Sequence, residues 1–225
     1  MINHDKVWQL FDDKNEIYFT KDFSNVLKRN SNWSYYDFFY KEIYGCEFSN
    51  HNCIYEMHDC VINKDDIVVD LGANVGFFTN LAAKKCKKVI SIEGSPEMFS
   101  CLVKNTSEEN KNIQYINANI VSKKDYVLNV WSKNPSKINL TIEDIFRINN
   151  LDKIDFLKID IEGLEYDIFD DIHPSILQNI NKIAIETHND ELNYKLKNIF
   201  ANKNFFYFDW YIDGYKTTTY YFTNK

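Results

Sequence analysis

The most constraining feature of the sequence is a buried strand that runs directly into a glycine-containing turn. Residues 67–76 read Ile-Val-Val-Asp-Leu-Gly-Ala-Asn-Val-Gly. A continuous apolar run of this kind is typical of a parallel strand that is buried on both faces. Gly72 and Gly76 let the backbone bend sharply and approach a ligand where a Cβ would collide. The pattern predicts the first strand and helix of an α/β sheet, with a ligand at the turn.

The end of the next apolar strand indicates what this ligand is. Residues 88–93 finish on Glu93, and an acid at this spacing in a βαβ unit lies beside the turn, where it can accept hydrogen bonds from two ribose hydroxyls. A pyrophosphate site has the pattern G-x-G-x-x-G and no anion at the helix N-terminus. Here one glycine is missing and Asp70 lies near the strand end. We therefore predict an S-adenosylmethionine site, and the alternative is a doubly wound domain with only a tight turn.

Length, charge and cysteine content argue against several classes of protein. The chain has 225 residues, enough for one well-buried core and too few for two full domains. Its net charge of −7 and its lack of an arginine cluster disfavour a nucleic-acid groove. The first residues do not read as a signal peptide, and no apolar run has membrane length. We expect a cytoplasmic protein with reduced thiols, no membrane span and no nucleic-acid partner, and a homo-oligomer stays open.

From residue 67 onward the predicted strands and helices alternate, which indicates a mainly parallel sheet with helices on both faces. Strands are predicted at residues 67–71, 88–93, 112–118, 154–160 and 182–188. Helices are predicted at residues 76–86, 96–108, 141–149, from 165 onward and 191–201, with a hairpin arm near 126–131.

The C-terminal part of the sequence predicts how this sheet ends. Residues 205–212 and 215–223 read as strands, and Asp213-Gly214 between them is a type I′ hairpin signal, so the last strand is antiparallel. The fold class is therefore α/β, with the seven-stranded, Rossmann-like sheet of class I methyltransferases. We expect residues 61–225 to form the cofactor-binding domain and residues 1–60 an N-terminal lead-in or lid that selects the substrate.

Five segments of the chain match the pattern of one known family. They are Val-Val-Asp-Leu-Gly-Ala-Asn-Val-Gly (68–76), Ile-Glu-Gly-Ser-Pro-Glu (92–97), Asn-Ala-Asn (117–119), Leu-Thr-Ile-Glu-Asp-Ile-Phe (140–146) and Leu-Lys-Ile-Asp-Ile-Glu-Gly-Leu-Glu (157–165). Over roughly residues 55–190 the chain resembles the FkbM-type S-adenosylmethionine-dependent methyltransferases. Gly94 departs from the family pattern, which more often has proline at this position.

The resemblance implies an O-methyltransferase that acts on a sugar of a capsule, another glycan or a natural product. Whether this sugar is linked to a nucleotide stays open. It also implies that Glu93 holds the cofactor's ribose, that Ala118 and Asn119 flank the adenine, and that the turn cradles the methionine end. The complete set of expected cofactor residues is Asp70, Gly72, Ala73, Asn74, Gly76, Phe77, Glu93, Gly94, Ala118, Asn119 and Asp160.

The candidate catalytic residues follow two predicted strands. A sugar hydroxyl is a poor nucleophile, so a base has to take its proton. Asp160 ends one strand beside the expected methyl group, while Glu186, His188 and Asp190 alternate onto one face of the neighbouring strand. We predict His188, Asp160 and Glu186 as catalytic, with His188 as the base because it titrates in the useful range. Purely structural roles for His188 and Glu186 stay open.

Metal sites are the alternative explanation for some of these residues. Asp160, Glu186, His188 and Asp190 offer ligands for a divalent cation, an option that we leave open without assigning a metal. A second group lacks the paired spacing of structural zinc, and we expect buried cysteines there; it comprises Cys46, His51, Cys53, His58 and Cys60.

Other functions and one aromatic segment also stay open. Methylation of a ribose hydroxyl in nucleic acid is disfavoured by the acidic net charge. A cofactor-binding subunit without activity is disfavoured because Asp160 and Glu186 are retained.

Aromatic residues in the range 33–44 have helical spacing, which favours core packing over a lid or a sugar-stacking surface.

Overall fold

A computed structural model describes residues 54–107, 110–122, 138–161, 165–169, 172–187, 193–212 and 215–224. The predicted hairpin arm near 126–131 and the aromatic residues in the range 33–44 lie outside these ranges. Within them, no helix is long and apolar enough to cross a membrane.

The described residues contain nine strands: β1 (Ile67–Leu71), β2 (Lys88–Glu93), β3 (Ile113–Asn117), β4 (Asn119–Ile120), β5 (Asn139–Leu140), β6 (Ile154–Ile159), β7 (Ile180–Thr187), β8 (Lys203–Ile212) and β9 (Tyr215–Asn224). Seven of them form one sheet in the order β3-β2-β1-β6-β7-β9-β8, and β4 and β5 form a separate pair. Strands β3, β2, β1, β6 and β7 pair in parallel. Strand β9 runs antiparallel to both β7 and β8. The predicted α/β sheet with an antiparallel last strand is confirmed.

The helices pack around this sheet and start at recognisable caps. They are α1 (Phe77–Ala83), α2 (Pro96–Thr106), α3 (Ile142–Ile148), α4 (Pro174–Gln178) and α5 (Asn193–Ile199). Ser95 caps α2, since its side chain accepts a hydrogen bond from the Met98 amide and proline occupies the first helical turn. Thr141 and Asp144 form a reciprocal capping box at the start of α3.

The helix predicted from residue 165 onward is wrong for residues 165–169. These residues form a turn followed by the 3₁₀ turn Asp167–Phe169. Tyr166, Ile168 and Phe169 are all buried in the same cluster. The Phe169 amide donates to the Tyr166 oxygen, three residues back, at 3.2 Å, which is the hydrogen-bond pattern of a 3₁₀ turn. We attribute this tighter turn to the packing of the three side chains in the core, which overrides the local preference for a helix.

The core lies on both faces of the sheet. Val69 and Leu71 of β1 pack in one apolar cluster, and Val68 packs in the other. This alternation is what the strand pleat requires, and burial on both faces explains the continuous apolar run in the sequence. Residues 54–62 contribute Ile54, Tyr55, Cys60 and Ile62 to the second cluster. The segment that precedes β1 is thus fixed against the sheet and can place a side chain near the strand ends.

Candidate active site

The turn after β1 is held in a conformation that only glycine adopts without strain at position 72. Gly72 has φ +75°, and a Cβ at this residue would lie 1.7 Å from the backbone oxygen of Asp160. The amides of Gly72 and Ala73 both donate to the Ile92 oxygen at 3.0 Å. The turn is therefore fixed between the carboxyl ends of β2 and β6, which is where an open α/β sheet binds its ligand.

Gly76 also has a left-handed backbone conformation, with φ +98°, and it lies against α2. A Cβ on Gly76 would lie 2.8 Å from Thr106 Cγ2 and 2.9 Å from Leu102 Cδ1, both in α2. Phe77, the first residue of α1, is half-buried and packs against the second core cluster. The missing side chain at Gly76 thus permits close packing of α1 against α2, and the described contacts of Phe77 are with the core.

Asn74 carries a buried oxygen that lacks a hydrogen-bond partner. This residue has φ +52°, and its Oδ1 atom is buried without a donor among the described residues. Its backbone amide donates to Glu93 Oε2 at 2.9 Å. A buried acceptor without a partner costs about 1–3 kcal/mol, so the site fits a ligand that carries an N–H or O–H group at this point.

Glu93 is positioned by two backbone amides and keeps the capacity to accept further hydrogen bonds. Its carboxylate accepts from the Asn74 amide at 2.9 Å and from the Ser95 amide at 2.7 Å. Burial raises the pKa of Glu93 above its ordinary value of 4.5, although these two hydrogen bonds lower it. Each carboxylate oxygen has a second lone pair, so two adjacent hydroxyls could bind to it.

The residues after β2 and β3 adjoin one another. The amide of Ala118 donates to the backbone oxygen of Glu93 at 3.1 Å. A Cβ on Gly94 would lie 2.8 Å from Asn119 Oδ1 and 3.6 Å from the Ala118 oxygen. Asn119 is in turn held by its side-chain amide, which donates to Asn139 Oδ1 of β5 at 2.8 Å. Gly94, Ala118 and Asn119 thus lie together beside the carboxyl end of β2, the strand that ends on Glu93.

Asp70 lies inside the protein. It is 0% exposed, and its Oδ2 atom accepts a hydrogen bond from Thr79 Oγ1 at 2.6 Å. Among the described residues its Oδ1 atom has no hydrogen-bond partner, but it lies 3.3 Å from the Lys158 ammonium nitrogen. That ammonium donates to the Gly72 oxygen at 2.8 Å. Asp70 and Lys158 together therefore hold the turn from the inner side.

Two of the three predicted catalytic residues meet at the ends of β6 and β7. Asp160 follows β6, and Glu186 is the penultimate residue of β7. Tyr55 lies between them, with its hydroxyl oxygen 3.0 Å from Asp160 Oδ2 and 2.7 Å from Glu186 Oε2. Lys158 lies 3.6 Å from Asp160 Oδ2. The result is a compact group of two carboxyls, a phenol and an ammonium beside the turn.

His188 and Asp190 lie outside the described residues, so the predicted base is not placed by the structure. The last described residue before them is Thr187, at the end of β7. Across the described ranges, no three His, Cys, Asp or Glu side chains are grouped closely enough to hold a metal ion.

Sequence reasoning missed Tyr55 and Lys158. Lys158 had a detectable signal, because a lysine in the middle of an apolar strand between two acids requires a buried partner. Tyr55 had none, since it is 105 residues from Asp160 and 131 from Glu186 along the chain. Only the tertiary fold brings these three residues together.

The structure describes only part of the cysteine and histidine group in which we expected buried cysteines. Cys60 is buried, its thiol contacts the Ile183 oxygen at 3.6 Å, and burial raises its pKa well above the usual range. His58 packs edge-on against Phe206, with ring centroids 4.4 Å apart. Cys46, His51 and Cys53 lie outside the described residues. The interpretation of Cys60 as a buried structural thiol is confirmed.

The sheet order, the glycine turn after β1 and the acid at the end of β2 define a class I methyltransferase that uses S-adenosylmethionine. Residues 70–207 match the methyltransferase FkbM domain. This match spans more than half of the chain, so the chain belongs to the FkbM methyltransferase family. No curated protein matches the chain.

Several solved structures are similar in fold at low sequence identity. An rRNA methylase from Streptococcus thermophilus is 15% identical, with 73% of this chain and 90% of that chain covered and a TM-score of 0.49. Precorrin-8w decarboxylase from Methanobacterium thermoautotrophicum is 14% identical, with 72% of this chain and 83% of that chain covered and a TM-score of 0.48. TrmK from M. capricolum, solved with S-adenosylhomocysteine, is 14% identical, with 73% of this chain and 65% of that chain covered and a TM-score of 0.47. Likenesses at this level carry no information on the acceptor.

Proposed function

We propose that this methyltransferase transfers the methyl group of S-adenosylmethionine to a hydroxyl of a sugar, either free or linked to a nucleotide. The observation that carries the proposal is the group formed by Tyr55, Asp160 and Glu186 beside the turn after β1. Its carboxyls suit the recognition of hydroxyl groups by hydrogen bonding. The net charge of −7 disfavours a polyanionic acceptor such as RNA.

The cofactor's place follows from the groups that the turn leaves available. Asn74 Oδ1 would accept a hydrogen bond from the amino group at the methionine end, which supplies the missing donor. Glu93 would accept hydrogen bonds from the two ribose hydroxyls through its remaining lone pairs. Gly94, Ala118 and Asn119 would flank the adenine. When bound, the cofactor supplies an electrophilic methyl carbon on a sulfonium.

The remaining task is to orient the acceptor and remove its proton. Methyl transfer is an in-line displacement, so most of the acceleration comes from positioning donor and acceptor. In the proposed site Asp160 and Glu186 orient the acceptor hydroxyl. His188, which follows Thr187 directly in the sequence, takes the proton as general base. Lys158 and Asp70 keep the turn and Asp160 in register.

The acceptor class is tested by supplying the full-length protein with labelled S-adenosylmethionine and separate panels of free sugars, sugar nucleotides and RNA. We expect label to enter the sugar or sugar-nucleotide panel and to stay out of RNA. A parallel reaction with a chelator reports whether a divalent ion takes part.

Two results would contradict this proposal. Methylation of RNA with no labelled sugar would overturn the substrate class. Cofactor binding without any methyl transfer across all panels and cell extracts would indicate a subunit without activity of its own.

A further inference from the structure

Tyr55 is a buried residue from outside the family match, and it reaches the candidate active site. It precedes the matched residues 70–207 and is 2% exposed. Its ring packs edge-on against Phe78 of α1, with centroids 5.4 Å apart, and the Lys158 ammonium lies 5.1 Å from its centroid. These contacts on the ring fix where the hydroxyl points.

The hydroxyl of Tyr55 makes more contacts than its own proton can satisfy. Its oxygen lies at hydrogen-bond distance from Asp160 Oδ2 and from Glu186 Oε2, at 3.0 and 2.7 Å. A phenol has one proton and donates one hydrogen bond, while an ionised carboxylate only accepts. Both contacts are full hydrogen bonds when one of the two carboxyls carries a proton that it donates to the phenol oxygen. A single phenol proton shared between two ionised carboxylates would instead leave two like charges close together, which is unfavourable.

The geometry favours one of the two carboxyls as the carrier of the negative charge. The Lys158 ammonium nitrogen lies 3.6 Å from Asp160 Oδ2, and attraction between opposite charges is strongest at short distance. Glu186 is 5% exposed, so water would do little to solvate a second negative charge there. Lys158 also contacts a second acid among the described residues, Asp70. This arrangement places the negative charge on Asp160 and the proton on Glu186.

We propose that Tyr55 is a positioning residue of the active site, and that it joins Asp160 and Glu186 into a pair that shares one proton and carries one negative charge. The Glu186 carboxyl donates to the phenol oxygen, and the phenol donates to the Asp160 carboxylate. This inference rests on the proposed function for its catalytic consequence. A pair with a single charge and a fixed separation offers the sugar hydroxyl one carboxylate that accepts a strong hydrogen bond in one orientation.

The protonation state is tested without any acceptor by infrared difference spectroscopy of the full-length protein at neutral pH. We expect the carbonyl stretch of a protonated carboxyl in the wild type, its loss in Glu186→Gln and a shift of its frequency in Tyr55→Phe. A band lost in neither Glu186→Gln nor Asp160→Asn would overturn the shared proton. A band lost only in Asp160→Asn would overturn its placement on Glu186.

The catalytic consequence is tested by comparing Tyr55→Phe with Tyr221→Phe. Tyr221 is a buried tyrosine whose hydroxyl donates to the Ile54 backbone oxygen, so its variant removes a hydrogen bond of the same segment and leaves the Tyr55 hydroxyl in place. We expect Tyr55→Phe to lower the turnover number by at least about tenfold, with cofactor affinity within about twofold of wild type. Tyr221→Phe should keep turnover within about twofold, whatever its stability.

Equal turnover in the two tyrosine variants would overturn the positioning role of Tyr55. If no sugar proves to be an acceptor, the proposed substrate fails while the infrared result still decides the proton sharing. The two failures are therefore distinguishable.

Discussion

Replacing Gly72 with alanine is expected to abolish cofactor binding and to lower the free energy of unfolding by about 3 kcal/mol or more. The added Cβ would lie 1.7 Å from the Asp160 backbone oxygen, so the turn and the end of β6 would have to move apart. The residue also has φ +75°, which costs a non-glycine residue about 1–2 kcal/mol. Urea unfolding gives the stability, and calorimetric titration with S-adenosylhomocysteine gives the affinity.

Gly94→Ala is the matched control for the stability measurement only, because Gly94 itself lies in the proposed cofactor site. Gly94 does not have a positive φ, and the nearest atom to its added Cβ is the side-chain oxygen of Asn119 at 2.8 Å, which can move. We expect a loss of stability of about 1 kcal/mol there. Gly72→Ala with wild-type stability and affinity would show that the turn is not packed against Asp160 as described.

Asp160→Asn and His188→Asn are expected to lower the rate of methyl transfer by about 10²–10⁴-fold while cofactor affinity changes little. Loss of the Asp160 charge removes the ionised group that orients the acceptor, and loss of the imidazole removes the proposed base. Single-turnover kinetics with labelled S-adenosylmethionine measures the transfer step, and a separate titration measures cofactor binding.

His173→Asn is the control for the histidine variant. His173 caps α4, where its Nδ1 accepts a hydrogen bond from the Ser175 amide at 3.3 Å, and asparagine is also a favourable cap. We expect its activity to equal that of the wild type. Near-normal transfer in His188→Asn would remove His188 from the mechanism, and near-normal transfer in Asp160→Asn would remove Asp160.

The part of the fold that the sequence predicts well is encoded locally. Residues 67–76 carry the apolar strand, the turn glycine and the start of α1 in one uninterrupted stretch, and Glu93 ends the next strand. Helix α2 begins where Ser95 and Pro96 provide a cap and a first-turn proline. In each case the physical cause lies within a few residues of its effect.

The parts that escaped prediction depend on contacts between distant segments. Each strand of the pair formed by β4 and β5 has only two residues, too few for a recognisable pattern, and the pair joins segments on either side of residues 123–137. Tyr166, Ile168 and Phe169 are buried together and so form turns in place of a helix. Tyr55 reaches the strand ends only because residues 54–62 pack against the sheet. No local pattern marks any of these features.

Glu93 gives the most direct test of the proposed site, because its carboxylate is the group assigned to the ribose. Titration calorimetry should compare the binding of S-adenosylhomocysteine to the wild type and to Glu93→Ala. Loss of the carboxylate leaves two ribose hydroxyls without partners, so we expect binding to weaken by about 1–3 kcal/mol. Burial raises the pKa of Glu93, so wild-type affinity should also fall as the pH is lowered through that raised value, because protonation weakens the acceptor. Unchanged affinity in Glu93→Ala would contradict the assignment of the cofactor to this edge of the sheet.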